Sequence, residues 1–242
     1  MARWLTVAVL VLACGGNQGD GSGGGTDAST GGASASGTGG DSSDAGTSVA
    51  ATTGQTTGSG AESSGDTAAD SGTTAGAPTR VVFETTAGTI VFELDEGAAP
   101  ITSANFLAYV DAGFFDGADG QDPTIFHRVV PGFVIQGGGL TETLVSKPTM
   151  PAIVNESGNG LTNVRGAISM ARTDDPDSAT SQFFVNLVDN AFLDTPPGYA
   201  VFGRVVEGLE VVDAIAAVPT ETMGPYEGVP VDPIVVTAAT RE

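Results

Sequence analysis

The chain is poor in nearly everything that metal, redox and nucleophilic catalysis require. Its 242 residues include one cysteine, Cys14, and one histidine, His127. A lone thiol can close no internal disulfide, so any folded part is held by packing alone. With Cys14 belonging to the N-terminal apolar run read below as a signal, His127 is left without a thiol partner or a second His/Cys ligand, so neither a Cys–His pair nor a metal site is expected. Gly-x-Ser-x-Gly does not occur, which removes the esterase elbow. The run Gly137-Gly138-Gly139 lacks the Lys-Ser/Thr of a phosphate loop and does not fit the dinucleotide fingerprint. Asp116, Asp119 and Asp122 recur every third residue, not at the alternating positions of a calcium loop, and read as an acidic surface turn. Basic residues are scarce too: 8 Lys and Arg face 29 Asp and Glu, a formal net charge of −21. Such a chain repels phosphate backbones, so nucleic acid is not expected as a partner. No cofactor is implied.

The absences are unevenly spread. Residues 15–78 are almost entirely Gly, Ser, Thr, Ala and Asp, with no aromatic and no large aliphatic apart from Val49. That composition cannot bury enough apolar surface to offset the entropy of ordering. Asp20, Asp27, Asp41, Asp44, Glu62, Asp66 and Asp70 meet no Lys or Arg there, which adds self-repulsion. The segment reads as a disordered tether, spanning roughly 40–50 Å as a flexible coil.

Ahead of it, residues 1–13 have the layout of a secretory signal peptide. Arg3 supplies the positive end, and residues 4–12 form an apolar run too short to cross a bilayer. The run ends in Val11-Leu12-Ala13-Cys14, which resembles a bacterial lipobox. The commonest lipobox has Leu three before the Cys and a small residue two before it; here those positions are Val11 and Leu12. The resemblance implies a lipid-bearing Cys14, a membrane contact made only through that lipid, and residence in the cell envelope. An ordinary signal peptide that ends near a Cys is the alternative. The expected organisation is signal peptide 1–13, lipid-anchored tether 14–78, and one folded domain 79–242.

From Thr79 onward the texture changes. Two β-rich runs flank Ala87-Gly88, a hairpin signal. Ile101, Ala104, Phe106, Leu107 and Val110 recur at near-helical spacing after Pro100 and before Gly113, which predicts a helix over 100–110. Short strand-like runs at 126–130 and 133–136 are joined by the turn pair Pro131-Gly132. Further strands are expected at 166–171, 182–187, 199–206 and 233–239. Leu209, Val212, Ile215 and Ala216 form one stripe of a second helix over 208–218. Many short strands, Gly/Pro punctuation and two helices imply a mainly β fold, a closed antiparallel barrel capped by the helices.

What elimination leaves is a cation among aromatics and amides: Phe126, Arg128, Phe133, Gln136, Arg172, Gln182, Phe183, Phe184, Phe192 and Leu193. Their order is informative. Phe126-His127-Arg128-Val129-Val130-Pro131-Gly132-Phe133-Val134-Ile135-Gln136-Gly137-Gly138 resembles the signature of the cyclophilins. Ile168 to Arg172, Ser178 to Asn186, Asn190 to Asp194 and Gly198 to Gly203 match the same family in order, closest to its bacterial periplasmic branch.

The resemblance implies an eight-stranded cyclophilin-like barrel with peptidyl-prolyl cis/trans isomerase activity on proline-containing polypeptides, acting as a monomer on exported proteins. Physical chemistry agrees with the inventory. The barrier to amide rotation, roughly 18–20 kcal/mol, arises because the nitrogen lone pair is delocalised. At about 90° of twist that lone pair localises and accepts a hydrogen bond, so a fixed cation and an apolar slot suffice. By the family pattern Arg128 is the catalytic cation, and Gln136 orients it and touches the substrate backbone. Phe133, Val134, Phe184 and Leu193 line the proline pocket, while the main chain of Ala171 and Arg172, with Gln182, holds the peptide extended. Tyr199 takes a rim position where eukaryotic members carry His, and His127 is read as structural. Phe192, counted with the substrate-binding residues, stands where drug-sensitive members carry Trp, which implies weak cyclosporin binding. Val134 replaces a common Met, Arg172 replaces an Asn, and 117–123 is longer than the equivalent link. The competing functional class is a tethered peptide-binding or chaperone module in which turnover is incidental.

Overall fold

The structure, a computed structural model, describes residues 78–242. The signal peptide, Cys14 and nearly all of the tether lie outside the described residues. Within them, β1 (Arg80–Thr85), β2 (Gly88–Leu94), α1 (Pro100–Asp111), β3 (Thr124–Val130) and β4 (Val134–Thr141) come first. They are followed by β5 (Ala167–Met170), β6 (Phe183–Asn186), a 3-10 turn (Ala191–Asp194), β7 (Val201–Glu207) and α2 (Leu209–Ala216). The last are β8 (Thr220–Met223), β9 (Tyr226–Pro230) and β10 (Val236–Arg241). All eight strands expected from the sequence join one antiparallel sheet in the order β10-β1-β2-β7-β5-β6-β4-β3. The sheet curls until its edges nearly meet: Phe126 N–H donates to Ile234 O at 2.9 Å, and Ile125 bridges Val235. The β8–β9 hairpin is a separate two-stranded piece that the sequence reading did not anticipate.

Period-two alternation decides what fills the barrel. Phe83, Phe92, Phe106, Phe115, Phe126, Phe183 and Phe202 converge in the main core, all at most 1% exposed. Their rings meet edge-on or tilted, as quadrupoles prefer, apart from one stacked pair, Phe83 and Phe106.

Helix α1 starts after Ala99, which offers no side-chain cap. Instead Glu156, far along the chain, accepts from Ile101 N–H (3.1 Å), Thr102 N–H (2.7 Å) and Thr102 Oγ1 (2.7 Å). A carboxylate there also complements the positive end of the helix dipole. Its other end closes as a Schellman motif, with Gly113 at φ 66°, Gly113 N–H on Val110 O, and Phe114 N–H on Tyr109 O. The Tyr109 and Phe114 rings, 4.7 Å apart, seal it. Glu156→Ala should therefore lower stability by about 1–2 kcal/mol in urea unfolding, an amount typical of a lost N-cap. Wild-type stability in that variant would mean that water caps the helix equally well.

The acidic 117–123 turn is held by a buried lysine. Lys147 Nζ donates to Phe114 O (2.6 Å) and Asp122 O (2.9 Å), and lies 3.1 Å from Asp119 Oδ2. Among the described residues no group of three or more His, Cys, Asp or Glu is placed to hold a metal ion, and no helix is long and apolar enough to cross a membrane.

Candidate active site

The outer face of the sheet carries the polar residues that the alternation turns away from the core. On β3, Val129 points inward, leaving Arg128 and Val130 outside; on β4, Ile135 points inward, leaving Val134 and Gln136. On β6, Phe183 and Val185 are core, and Phe184 faces out. Strand register then aligns Arg128 opposite Gln136, Gln136 opposite Phe184, and Phe184 opposite Ser169. With neighbouring strands roughly 4.8 Å apart, Arg128, Gln136 and Phe184 form a short row across three strands.

Beside the row, Phe133, Val134, Ala171, Phe184 and Leu193 pack as a second apolar cluster distinct from the barrel core, with Val130 and Tyr199 at its margin. Strands β4, β5 and β6 and the 3-10 turn each contribute to it or adjoin it. Phe192 is not part of that cluster. It is 57% exposed and stacks on Phe133, ring centroids 5.6 Å apart and planes 20° off parallel.

Arg128 is half-buried, and its Nη1 is buried without a hydrogen-bond partner among the described residues. Burial pushes the guanidinium below its ordinary value, while Glu227 on β9 and Tyr199 favour the charged form. A guanidinium nevertheless remains a cation at any working pH. Gln136, opposite Arg128 in the strand register, donates from its Nε2 to Gln182 Oε1 at 2.9 Å. Gln182 lies directly over Gly139, where an added Cβ would sit 2.4 Å from its Cγ. Gly139→Ala must therefore move the whole Gln182 side chain away from Gln136, and roughly a tenfold loss of kcat/KM is expected of the folded protein, small misplacements of site groups being costly.

The side chain of Arg172 has a role that sequence reasoning missed. It is 8% exposed, donates from Nε to Gly198 O (3.0 Å) and from Nη1 to Thr173 O (2.8 Å). Its guanidinium lies over the Tyr199 ring at 4.5 Å, and Tyr199 in turn meets Phe184 edge-on at 5.7 Å. The cation braces the margin of the apolar cluster through the Tyr199 ring. The main-chain N–H of Ala171 donates to Gln182 O at 2.9 Å.

His127 is 5% exposed, and its Nδ1 has no hydrogen-bond partner among the described residues. Burial, with a smaller push from Arg128, lowers its pKa to about 4 against the Ile125 backbone bond, which acts the other way. The unfolded chain takes up that proton near pH 6.5 and the folded chain near 4, so U binds more protons between these values. Stability is therefore full above about pH 6.5 and falls as the pH drops towards 4, by about 3 kcal/mol from this residue. The difference in urea stability between wild type and His127→Gln should change across that window; parallel pH curves would reject the assignment.

A separate cleft of about 930 Å³ lies where β2 and β7 meet residues 160–164, lined by Leu94, Val164, Val201 and Arg204. None of the Arg128, Gln136 and Phe184 row lines it.

A family model, cyclophilin type peptidyl-prolyl cis-trans isomerase/CLD, matches residues 80–241. Peptidyl-prolyl cis-trans isomerase A of Dickeya dadantii is 52% identical over 168 residues, covering 68% of this chain and 85% of that one. Peptidyl-prolyl cis-trans isomerase B of Escherichia coli is 44% identical over 166 residues, covering 66% of this chain and 98% of its own. The fold is similar to the crystal structure of a Cryptosporidium parvum cyclophilin type peptidyl-prolyl cis-trans isomerase obtained in the presence of the dipeptide Ala-Pro. That likeness has a TM-score of 0.57 at 28% identity and covers 66% of this chain and 96% of that one. A barrel of this topology, matched along almost its whole length by bacterial isomerases at about half identity, belongs to the cyclophilin-type peptidyl-prolyl cis-trans isomerase family.

Proposed function

We propose that this cyclophilin is anchored to the cell envelope by a lipid on Cys14 and isomerises X–Pro bonds of exported polypeptides, acting as a monomer. Arg128 is the catalytic cation, and Phe133, Val134, Phe184 and Leu193 receive the proline ring. Gln136 and Gln182, as a bonded pair, face the substrate backbone together with the carbonyl of Ala171. Tyr199 and Phe192 form the rim, with Arg172 behind Tyr199. One observation carries the reading: a buried guanidinium nitrogen with no hydrogen-bond partner among the described residues stands opposite Gln136 of the next strand, beside an apolar cluster that includes Val134 and Phe184.

The chemistry needs no proton transfer and no covalent intermediate. A flat prolyl amide offers its nitrogen to nothing, because the lone pair is in the π system. As the bond twists, the nitrogen becomes an acceptor, and a donor already aimed at it stabilises only the twisted state. That difference is what accelerates the reaction. The apolar cluster holds the ring while the carbonyl side rotates.

The mature full chain, extracted in detergent, should speed refolding of an exported protein whose folding is limited by a proline bond. Its N-terminal peptide should carry a diacylglyceryl thioether on Cys14 by mass spectrometry. An unchanged refolding rate removes the folding role, and an unmodified Ala or Gly at the terminus removes the anchor.

A further inference from the structure

The apolar cluster is backed by a buried amide network whose centre is Asn163, a residue 1% exposed that contributes no side chain to the cluster itself. Every polar group of Asn163 is engaged. Its N–H and Nδ2 both donate to Asp194 Oδ1, at 3.0 and 2.7 Å. Its main-chain oxygen accepts from Asn190 N–H at 2.7 Å. Its Oδ1 accepts from Ser169 Oγ at 2.7 Å and from Asn186 Nδ2 at 3.1 Å. Asn190 and Asp194 lie at the start and end of the 3-10 turn that carries Phe192 and Leu193, so one residue grips both ends of that turn.

The network also reaches the opposite wall of the pocket. Asn190 Nδ2 donates to Phe133 O at 3.1 Å and to Asn186 Oδ1 at 2.8 Å. Ser169 sits opposite Phe184 across β5 and β6. Phe133, Phe184 and Leu193 thus come from three separate segments, and each is bonded, or adjoins a residue bonded, to the same set of amides. A four-residue turn has too few internal hydrogen bonds to hold its own position. A fully satisfied buried polar network supplies the missing rigidity and admits one arrangement.

From this geometry we infer that Asn163 is a positioning residue for the isomerase reaction, setting the width of the proline pocket by tying the Leu193 turn to the Phe133 wall. It acts through Leu193 and Phe133, and touches no reacting atom. The inference rests on the reading of that cluster as the proline pocket. A pocket that grips the ring in flat and twisted states alike contributes uniform binding. Its loosening therefore raises KM and spares kcat. Global destabilisation does the reverse, lowering the active fraction and hence apparent kcat at constant KM.

In the full chain, Asn163→Ala should raise KM for a proline tetrapeptide roughly fivefold, the order of one lost hydrogen bond, with kcat within about twofold of wild type. Ile90→Val, a core change remote from the network, should lower stability with KM unmoved. Asp194→Ala removes the same tie at a half-exposed position and should reproduce the KM shift, which keeps the test decisive if Asn163→Ala does not fold. Phe133→Ala is measured alongside. A rise in KM for Phe133→Ala with none for Asn163→Ala or Asp194→Ala overturns the positioning role. An unmoved KM in Phe133→Ala overturns the pocket reading beneath it.

Discussion

Arg128→Ala is expected to lower kcat/KM for a proline tetrapeptide by roughly 100- to 1000-fold, the usual effect of removing one preorganised donor from a site of developing charge. The reasoning is one of differential binding. In the flat ground state the nitrogen has no lone pair to offer, so the guanidinium contributes little to affinity. In the twisted state it meets a localised lone pair, and because Arg128 is half-buried the interaction is only weakly screened. Losing about 3–4 kcal/mol there corresponds to two to three decades in rate. Arg128→Lys keeps the charge and loses the planar fork, so it should recover only part of the activity. An Arg128→Ala protein that folds and turns over at the wild-type rate would leave the cation without a catalytic role. It would favour the tethered binding module.

The second large effect is on stability, and it comes from the chain neighbour of Phe184. The Phe183 ring lies 5.4–5.9 Å, edge-on, from Phe83, Phe92, Phe106, Phe115 and Phe126, at the centre of the barrel. Phe183→Ala should cost about 3–5 kcal/mol, since the ring's burial is lost and the surrounding rings cannot all close the cavity. The fraction that stays folded should bind peptide with an unchanged KM. Phe184→Ala, one residue on and facing the other way, should raise KM instead, because its ring belongs to the outer cluster. Urea unfolding and steady-state kinetics on the pair separate the two faces of one strand. Equal effects of both variants on KM would contradict the alternation.

The eight barrel strands were legible because β-branched and aromatic residues alternate between turn pairs such as Ala87-Gly88 and Pro131-Gly132. Hairpin β8–β9 was not: Thr220–Met223 is exposed throughout and shows no burial rhythm to read. The start of α1 was placed by Pro100, whereas its true cap, Glu156, lies 54 and 55 residues from the amides it accepts from, a distance no local motif spans. The site shows the same division. Motif order placed Arg128, Gln136 and Phe184, and strand register then put them in a row. Which partner Gln136 would choose depended on Gln182 crossing Gly139, and the brace of Arg172 on Tyr199 joins residues 27 positions apart only through the fold. Asn163 carried no sequence signal, since an Asn between two strands reads as loop until its five hydrogen bonds are seen.

Exchange NMR on a proline peptide at saturation tests the central point most directly, because it reports affinity and bound-state interconversion separately. Arg128→Ala should bind the peptide within about threefold of wild type while cis–trans exchange in the complex slows at least a hundredfold. Weakened binding with an undiminished exchange rate in the complex would contradict a cation that acts only on the twisted bond.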